Sequence, residues 1–211
     1  ELPKHISGHV VSGTAGMERV EVEDVDLRAF LNGVLVDSYT VAPDSDGRFI
    51  FRDVPPDDDL FYLLTTTYLN VLYQMDLAAE QDLSNVRLTV YESGASLEEV
   101  TLKGWSAFIL AADSGLQSLS ILEVVTVVNT GDQVFVPDLT NAASMTFLRF
   151  PLAPRAANLE VESELPRGQV LQVDQGFAIM APVPPGEHGI AFTYTIPYSG
   201  KELDLSRTFR L

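Results

Sequence analysis

Asp44-Ser45-Asp46-Gly47-Arg48-Phe49-Ile50-Phe51 decides how this chain is read. The first half is turn chemistry. Short acidic side chains accept hydrogen bonds from nearby backbone amides, and glycine takes up positive φ at no steric cost. The second half is strand chemistry. Phe49 and Phe51 alternate with Arg48, Ile50 and Arg52, and a period of two places one set of side chains on each face of a sheet.

The same grammar repeats outward in both directions. Upstream, Val20, Val22, Val25, Leu27, Ala29 and Leu31 keep close to a two-residue period and run into Asn32-Gly33. That dipeptide signals a tight hairpin, because both central residues of a type I′ turn need positive φ. Downstream, Val86, Leu88 and Val90 alternate with Arg87, Thr89 and Tyr91. Turn signals follow at Asn129-Thr130-Gly131-Asp132, Pro166-Arg167-Gly168, Asp174-Gln175-Gly176, Pro184-Pro185-Gly186 and Ser199-Gly200. Turns spaced by roughly 8–15 residues predict an all-β chain of sandwich type. Two apolar runs, Trp105–Ala112 and Leu119–Val128, read as sheet-core strands, with Glu123 interrupting the second. Only Met75–Leu83 reads as helical, through Leu77, Ala78, Ala79 and Leu83.

Composition narrows the function classes. With 46% hydrophobic and 20% charged residues over 211 positions, the chain belongs with folded globular proteins. Thirty acidic residues against 13 basic ones leave a formal charge of −17. That balance excludes a phosphate-backbone binder, which needs a basic face, so no nucleic-acid partner is expected. It also disfavours adsorption to an anionic membrane. The absence of cysteine excludes disulfides, thiolate catalysis and cysteine-ligated metal. No stretch approaches the ~18 uncharged apolar residues of a spanning helix, so no direct membrane insertion is expected within this chain. A first residue of Glu1 fits a processed secretion signal or a boundary within a longer protein. Residues 1–84 carry 16 acidic and 5 basic residues, and residues 85–211 carry 14 and 8. That shift, falling at the helical stretch, sets the expected domain boundary at 84/85.

Ile6-Ser7-Gly8-His9-Val10-Val11-Ser12-Gly13-Thr14, the strand Val25–Phe30, the Asp44–Phe51 hairpin, Val54-Pro55 and the strand Phe61–Tyr68 closing with Leu69–Tyr73 resemble the transthyretin-like, carboxypeptidase-regulatory-like β-sandwich module. The stretches Leu88–Glu92, Leu122–Val125, Val128–Asp132, Phe147–Leu152, Pro184–Gly186 and Phe192–Tyr194 are similar to the sandwich that follows this module in some uncharacterised bacterial exported or membrane-anchored proteins. The resemblance implies a transthyretin-like domain at 1–84 followed by an Ig-like domain at 85–211. It implies an extracytoplasmic setting (periplasmic, cell-surface or secreted), in some cases with a membrane anchor and beside cytochrome c maturation genes. It carries almost no information about activity, since such modules are appended to many unrelated proteins.

Reaction chemistry finds little footing. The histidines are His5, His9 and His188, and none is followed three residues on by Glu, so the zinc-peptidase ligand pattern is missing. His5 and His9 are four residues apart, but on a strand that spacing separates them by ~13 Å. Gly104-Trp105-Ser106-Ala107-Phe108 lacks the closing glycine of a nucleophile elbow, and no glycine-rich phosphate loop is present. Asp44 and Asp46, joined by Asp57, Asp58 and Asp59 at one end of the first sandwich, are the best candidates for a cation, specifically calcium. Turn chemistry accounts for Asp44–Gly47 without any ion. Tyr62, Tyr68, Tyr73 and Tyr91 could form a contact surface, though ordinary β-propensity explains them.

The expectation is therefore a non-enzymatic, extracytoplasmic structural or protein-interaction module without a cofactor. It would meet a protein partner, or assemble with itself, through edge strands or loops. The alternatives are an accessory factor in cytochrome c or metal-cofactor assembly, and a calcium- or glycan-binding adhesion domain.

Overall fold

The computed structural model describes residues 4–55, 59–77, 82–138, 147–166, 168–173, 176–199 and 205. Among them the regular structure is strand throughout, apart from one 3₁₀ turn at Leu97–Glu99. The chain divides into two compact units, Glu1–Ser93 and Gly94–Leu211.

The first unit contains β1 (Lys4–Ser12), β2 (Val25–Leu31), β3 (Val34–Val41), β4 (Arg48–Val54), β5 (Leu60–Tyr68), β6 (Val71–Leu77) and β7 (Val86–Val90). They form two sheets, ordered β4-β1-β7 and β3-β2-β5-β6. Alternation puts Ile6, Val10, Phe49, Phe51, Val86, Leu88 and Val90 from the first sheet in the interior, with Val25, Leu27, Ala29, Tyr62, Leu64 and Tyr73 from the second. The β2–β3 hairpin turns on Asn32 (φ 51°) and Gly33 (φ 79°), as the dipeptide predicts. One pairing is parallel: Gly8–Ser12 of β1 lies alongside Val86–Val90 of β7. Gly8 permits it, because a Cβ there would lie 2.0 Å from the Val86 carbonyl oxygen and 2.8 Å from the Phe49 ring.

This pairing moves the division of the chain to Ser93/Gly94 from the expected 84/85. β7 closes the sheet that β1 opens. The residues just after it also stay with the first unit. The Tyr73 hydroxyl donates to the Tyr91 carbonyl at 3.1 Å, and the Glu92 amide donates to the Thr14 hydroxyl at 2.9 Å. The expected helix at Met75–Leu83 is corrected as well. Met75, Asp76 and Leu77 end β6, paired to Leu64, Leu63 and Tyr62, Leu83 and Ser84 form a turn, and residues 78–81 lie outside the described residues. Ladder pairing with β5 overrides the local helical pattern, which is too short to stand without tertiary support.

The second unit contains β8 (Val100–Asp113), β9 (Ser118–Asn129), β10 (Leu148–Pro151), β11 (Ala157–Ser163), β12 (Gln169–Val173), β13 (Gly176–Met180) and β14 (Gly186–Pro197). Its sheets are ordered β11-β14-β9-β8 and β10-β13-β12. The two inner faces meet in one core built on Ile121, Val125 and Val127 of β9, Phe192 and Tyr194 of β14, Leu148 and Phe150 of β10, and Phe177 and Ile179 of β13. Phe150 stacks on Phe177 with centroids 5.0 Å apart, and Phe177 meets Phe192 edge-on at 4.9 Å. Each such ring pair contributes roughly 0.5–1.5 kcal/mol beyond its burial. Buried Asn129 secures the loop after β9, donating to the Gln133 and Val183 carbonyls and accepting from the Gly131 amide.

One expectation about the core is corrected here. Trp105–Ala112 is strand, but beyond Trp105, which packs on the core, it is not sheet core. It forms much of β8, the edge of its sheet, and from Ser106 to Asp113 every residue is exposed. An unbroken apolar run has no alternation to report its environment, so periodicity alone does not separate a covered central strand from an uncovered edge.

Candidate functional site

Of the acidic residues singled out from the sequence, Asp44, Asp46 and Asp59 are described, and Asp44 and Asp59 line different concavities. Asp44 turns its carboxylate onto its own backbone: Oδ1 accepts from the Asp46 amide at 2.9 Å and the Arg48 amide at 3.0 Å. These bonds favour the charged form and hold the Asp44 carboxyl below its ordinary value. Asp46 is exposed on the same turn. Asp44 lines a shallow groove over β1 and β4, whereas Asp59 lines a separate concavity with Phe30 and Phe61. Asp57 and Asp58 lie outside the described residues. Among the described residues no group of three or more His, Asp or Glu side chains could hold a metal ion.

The histidines are likewise dispersed. His5 and His9 both lie on β1. The Arg48 Nε donates to His9 Nε2 at 3.0 Å, and His188 Nε2 lies 2.8 Å from the Pro184 carbonyl oxygen. The four tyrosines do not make an open contact face. Tyr62 and Tyr73 are buried, and the Tyr62 hydroxyl donates to the Pro55 carbonyl at 3.0 Å. Tyr68 donates to the Glu92 carboxylate. That bond is the main reason the Tyr68 phenol is pushed up to about 12. Burial pushes Tyr73 up to about 12.

Two features of the second unit escaped the sequence reading. The first is Glu123, fully buried on β9. Its carboxylate accepts from the Tyr194 hydroxyl at 2.6 Å and from the Trp105 indole N–H at 2.5 Å. Trp105 in turn packs edge-on against Phe192 at 6.1 Å and against Phe150 at 6.2 Å. A buried carboxylate is costly unless hydrogen-bonded, and here the partners come from β8 and β14, the strands flanking β9. The available signal was phase: Glu123 occupies the same inward parity as Ile121, Val125 and Val127.

The second is the outer edge of β8, beyond which no described strand pairs. Phe108, Ile109 and Leu110 are 53%, 63% and 55% exposed, and Leu116 in the turn to β9 is 78% exposed. Register shifts after Leu102 and after Ile109 frame a regular segment, Gly104–Ile109, paired to β9. Bulges are a common way to bend an edge strand away from unwanted pairing. Between Lys103 and Asp113, however, the edge carries no charge and no proline.

No protein-family profile, curated protein or solved structure matches the chain.

Proposed function

We propose that this chain is a non-enzymatic structural or protein-interaction module acting outside the cytoplasm, as a subunit of a surface or filament assembly. The carrying observation is the edge of β8, whose exposed side is long, uncharged over Gly104–Ala112 and apolar on both faces of the strand at Phe108, Ile109 and Leu110. An unpaired edge offers a row of backbone donors and acceptors to an incoming strand, and flanking apolar side chains add register and affinity. Glu123 and Trp105 support this reading by fixing the strand to the core from within, so that the edge is presented rigidly. The transthyretin-like and Ig-like assignments, and the extracytoplasmic setting, rest on the resemblance of the sequence.

The test is the state of association of the intact chain by sedimentation velocity, compared with Phe108→Lys/Leu110→Lys. Concentration-dependent oligomers that the double variant loses, with its circular dichroism and melting intact, support strand pairing at β8. A chain that stays monomeric at every concentration removes self-assembly from the reading.

A further inference from the structure

The first unit is acidic overall, with 17 Asp and Glu against six Lys and Arg in residues 1–93, yet its positive charge is not evenly spread. On the outer face of the β4-β1-β7 sheet, Arg48, Ile50 and Arg52 alternate with buried Phe49 and Phe51, and Arg87 stands between buried Val86 and Leu88. His5 and His9 lie on the same face of β1, alternating with Ile6, Gly8 and Val10. Register places Arg48, His9 and Arg87 in one row across the three strands. Three of the six basic residues therefore share one sheet face, around an Ile50 side chain that is 39% exposed, with the Asp44 carboxylate at the end of the same groove beside Arg48.

The outer face of the opposite sheet, β3-β2-β5-β6, has the reverse character. A cup of about 530 Å³ is lined by Phe30, Phe61 and Leu63 and rimmed by Asp59 and Asp76, with the two phenyl rings 6.3 Å apart. Beside it a second concavity, of about 270 Å³, is lined by Glu23, Asp24 and Asp26. Arg28, also on β2, is the basic residue that this face carries.

We infer that copies of this chain stack through the first unit, the Arg48–Arg52–Arg87 face of one seated on the Phe30–Phe61–Asp59–Asp76 face of the next. This deepens the assembly reading above and rests on it. The two faces are complementary in three respects. Guanidinium groups meet carboxylates, a guanidinium plane can also cover the exposed Phe61 ring, and Ile50 supplies an apolar knob for the cup. They lie on opposite sides of one sandwich, so the contact is head-to-tail and does not close on itself, which is the geometry of a filament. A three-stranded face seven residues long covers roughly 14 by 23 Å, about 330 Å². That is less than half of the ~800 Å² per partner of a standard interface, so each contact is weak and assembly depends on concentration. The chain's net charge of −17 opposes association at long range. Near physiological ionic strength the screening length is about 8 Å, which leaves local pairing to act.

The experiment follows association of the full chain at about 0.1 M and about 0.6 M salt, alongside Arg48→Glu/Arg52→Glu and Asp59→Lys/Asp76→Lys. The inference expects salt to weaken the wild-type association constant about tenfold. It expects each variant alone to lose association, and an equimolar mixture of the two to regain it. Association that salt leaves unchanged, or that both variants retain, overturns it. If β8 substitutions abolish assembly while the charge variants leave it intact, the assembly reading stands and this contact fails. A monomeric wild type that binds poly-glutamate through Arg48 and Arg52 also overturns self-stacking and points to an acidic polymer as the occupant.

Discussion

The Trp105 indole donates its N–H to the carboxylate of Glu123, joining the edge strand β8 to the fully buried interior of β9. Glu123→Ala removes the acceptor that serves both Trp105 and Tyr194 and leaves a hole beside Phe192, so it should cost about 3 kcal/mol. Glu123→Gln keeps an acceptor oxygen and should cost about 1–2 kcal/mol. Trp105 is the single tryptophan, so its emission reads the site directly: denaturant melts followed by fluorescence should show a red-shifted native signal for Ala but not for Gln. Equal losses in the two variants would argue that the hydrogen bonds matter little.

Gly8 and Gly104 are both strand glycines with opposite surroundings. A Cβ at Gly8 collides with the Val86 carbonyl, while at Gly104 nothing lies within 4 Å. Gly8→Ala should therefore destabilise by about 3 kcal/mol, since the backbones of β1 and β7 must separate. Gly104→Ala should stay within about 0.5 kcal/mol. Thermal melts of the two variants check the contrast.

Alkaline titration should find late phenols, Tyr39, Tyr68 and Tyr73 among them. Tyr68, held by its bond to Glu92, and Tyr73, held by burial, both ionise near 12 rather than near 10. A group whose folded value is raised stabilises the fold fully below its unfolded value and loses that contribution as pH climbs through the folded one. Stability should therefore fall between about pH 10 and 12, and Tyr73→Phe should flatten the fall. Absorbance of phenolate against pH, with parallel melts, measures both.

Asp44 works in the opposite direction. Its folded carboxyl is depressed by the Arg48 and Asp46 amides, so its contribution is present above the ordinary carboxylate value and disappears as pH drops through the depressed one. Asp44→Ala should lower the melting temperature at neutral pH but not in strong acid. The loss should be the same with and without a calcium chelator. A loss that appears only when calcium is present would support a cation site at this turn.

Ile109 is mostly exposed, so Ile109→Lys should change stability by no more than about 0.5 kcal/mol. Binding of a dye that reports exposed apolar surface should drop in the same variant. A large loss of stability would show that this side chain is covered in the folded chain.

The legible parts of the fold were those where two signals coincided. Asn32-Gly33 and Asp44–Gly47 were readable because turn chemistry abutted a two-residue alternation, and the structure has hairpin and turn there. The boundary at 84/85 was misplaced because the partner of β7 lies almost eighty residues upstream, on β1, and no local pattern encodes so distant a pairing. Met75–Leu77 read as helix for the same reason, since their register against β5 is tertiary information. The β8 edge shows a different limit: Phe108, Ile109 and Leu110 are as apolar as core residues, and only the strand order shows that nothing described pairs beyond them.

The parallel alignment of β1 with β7 has a mechanical corollary. β1 runs from Lys4 and β7 ends at Val90 in the same direction, so tension applied through the two termini of the first unit pulls these neighbours past each other lengthwise. The cross-links between them are then loaded together and yield as a group, instead of parting one at a time as in a hairpin pulled from its open end. Single-molecule stretching should show this unit giving way at a higher force than a zipper-like arrangement of equal thermodynamic stability.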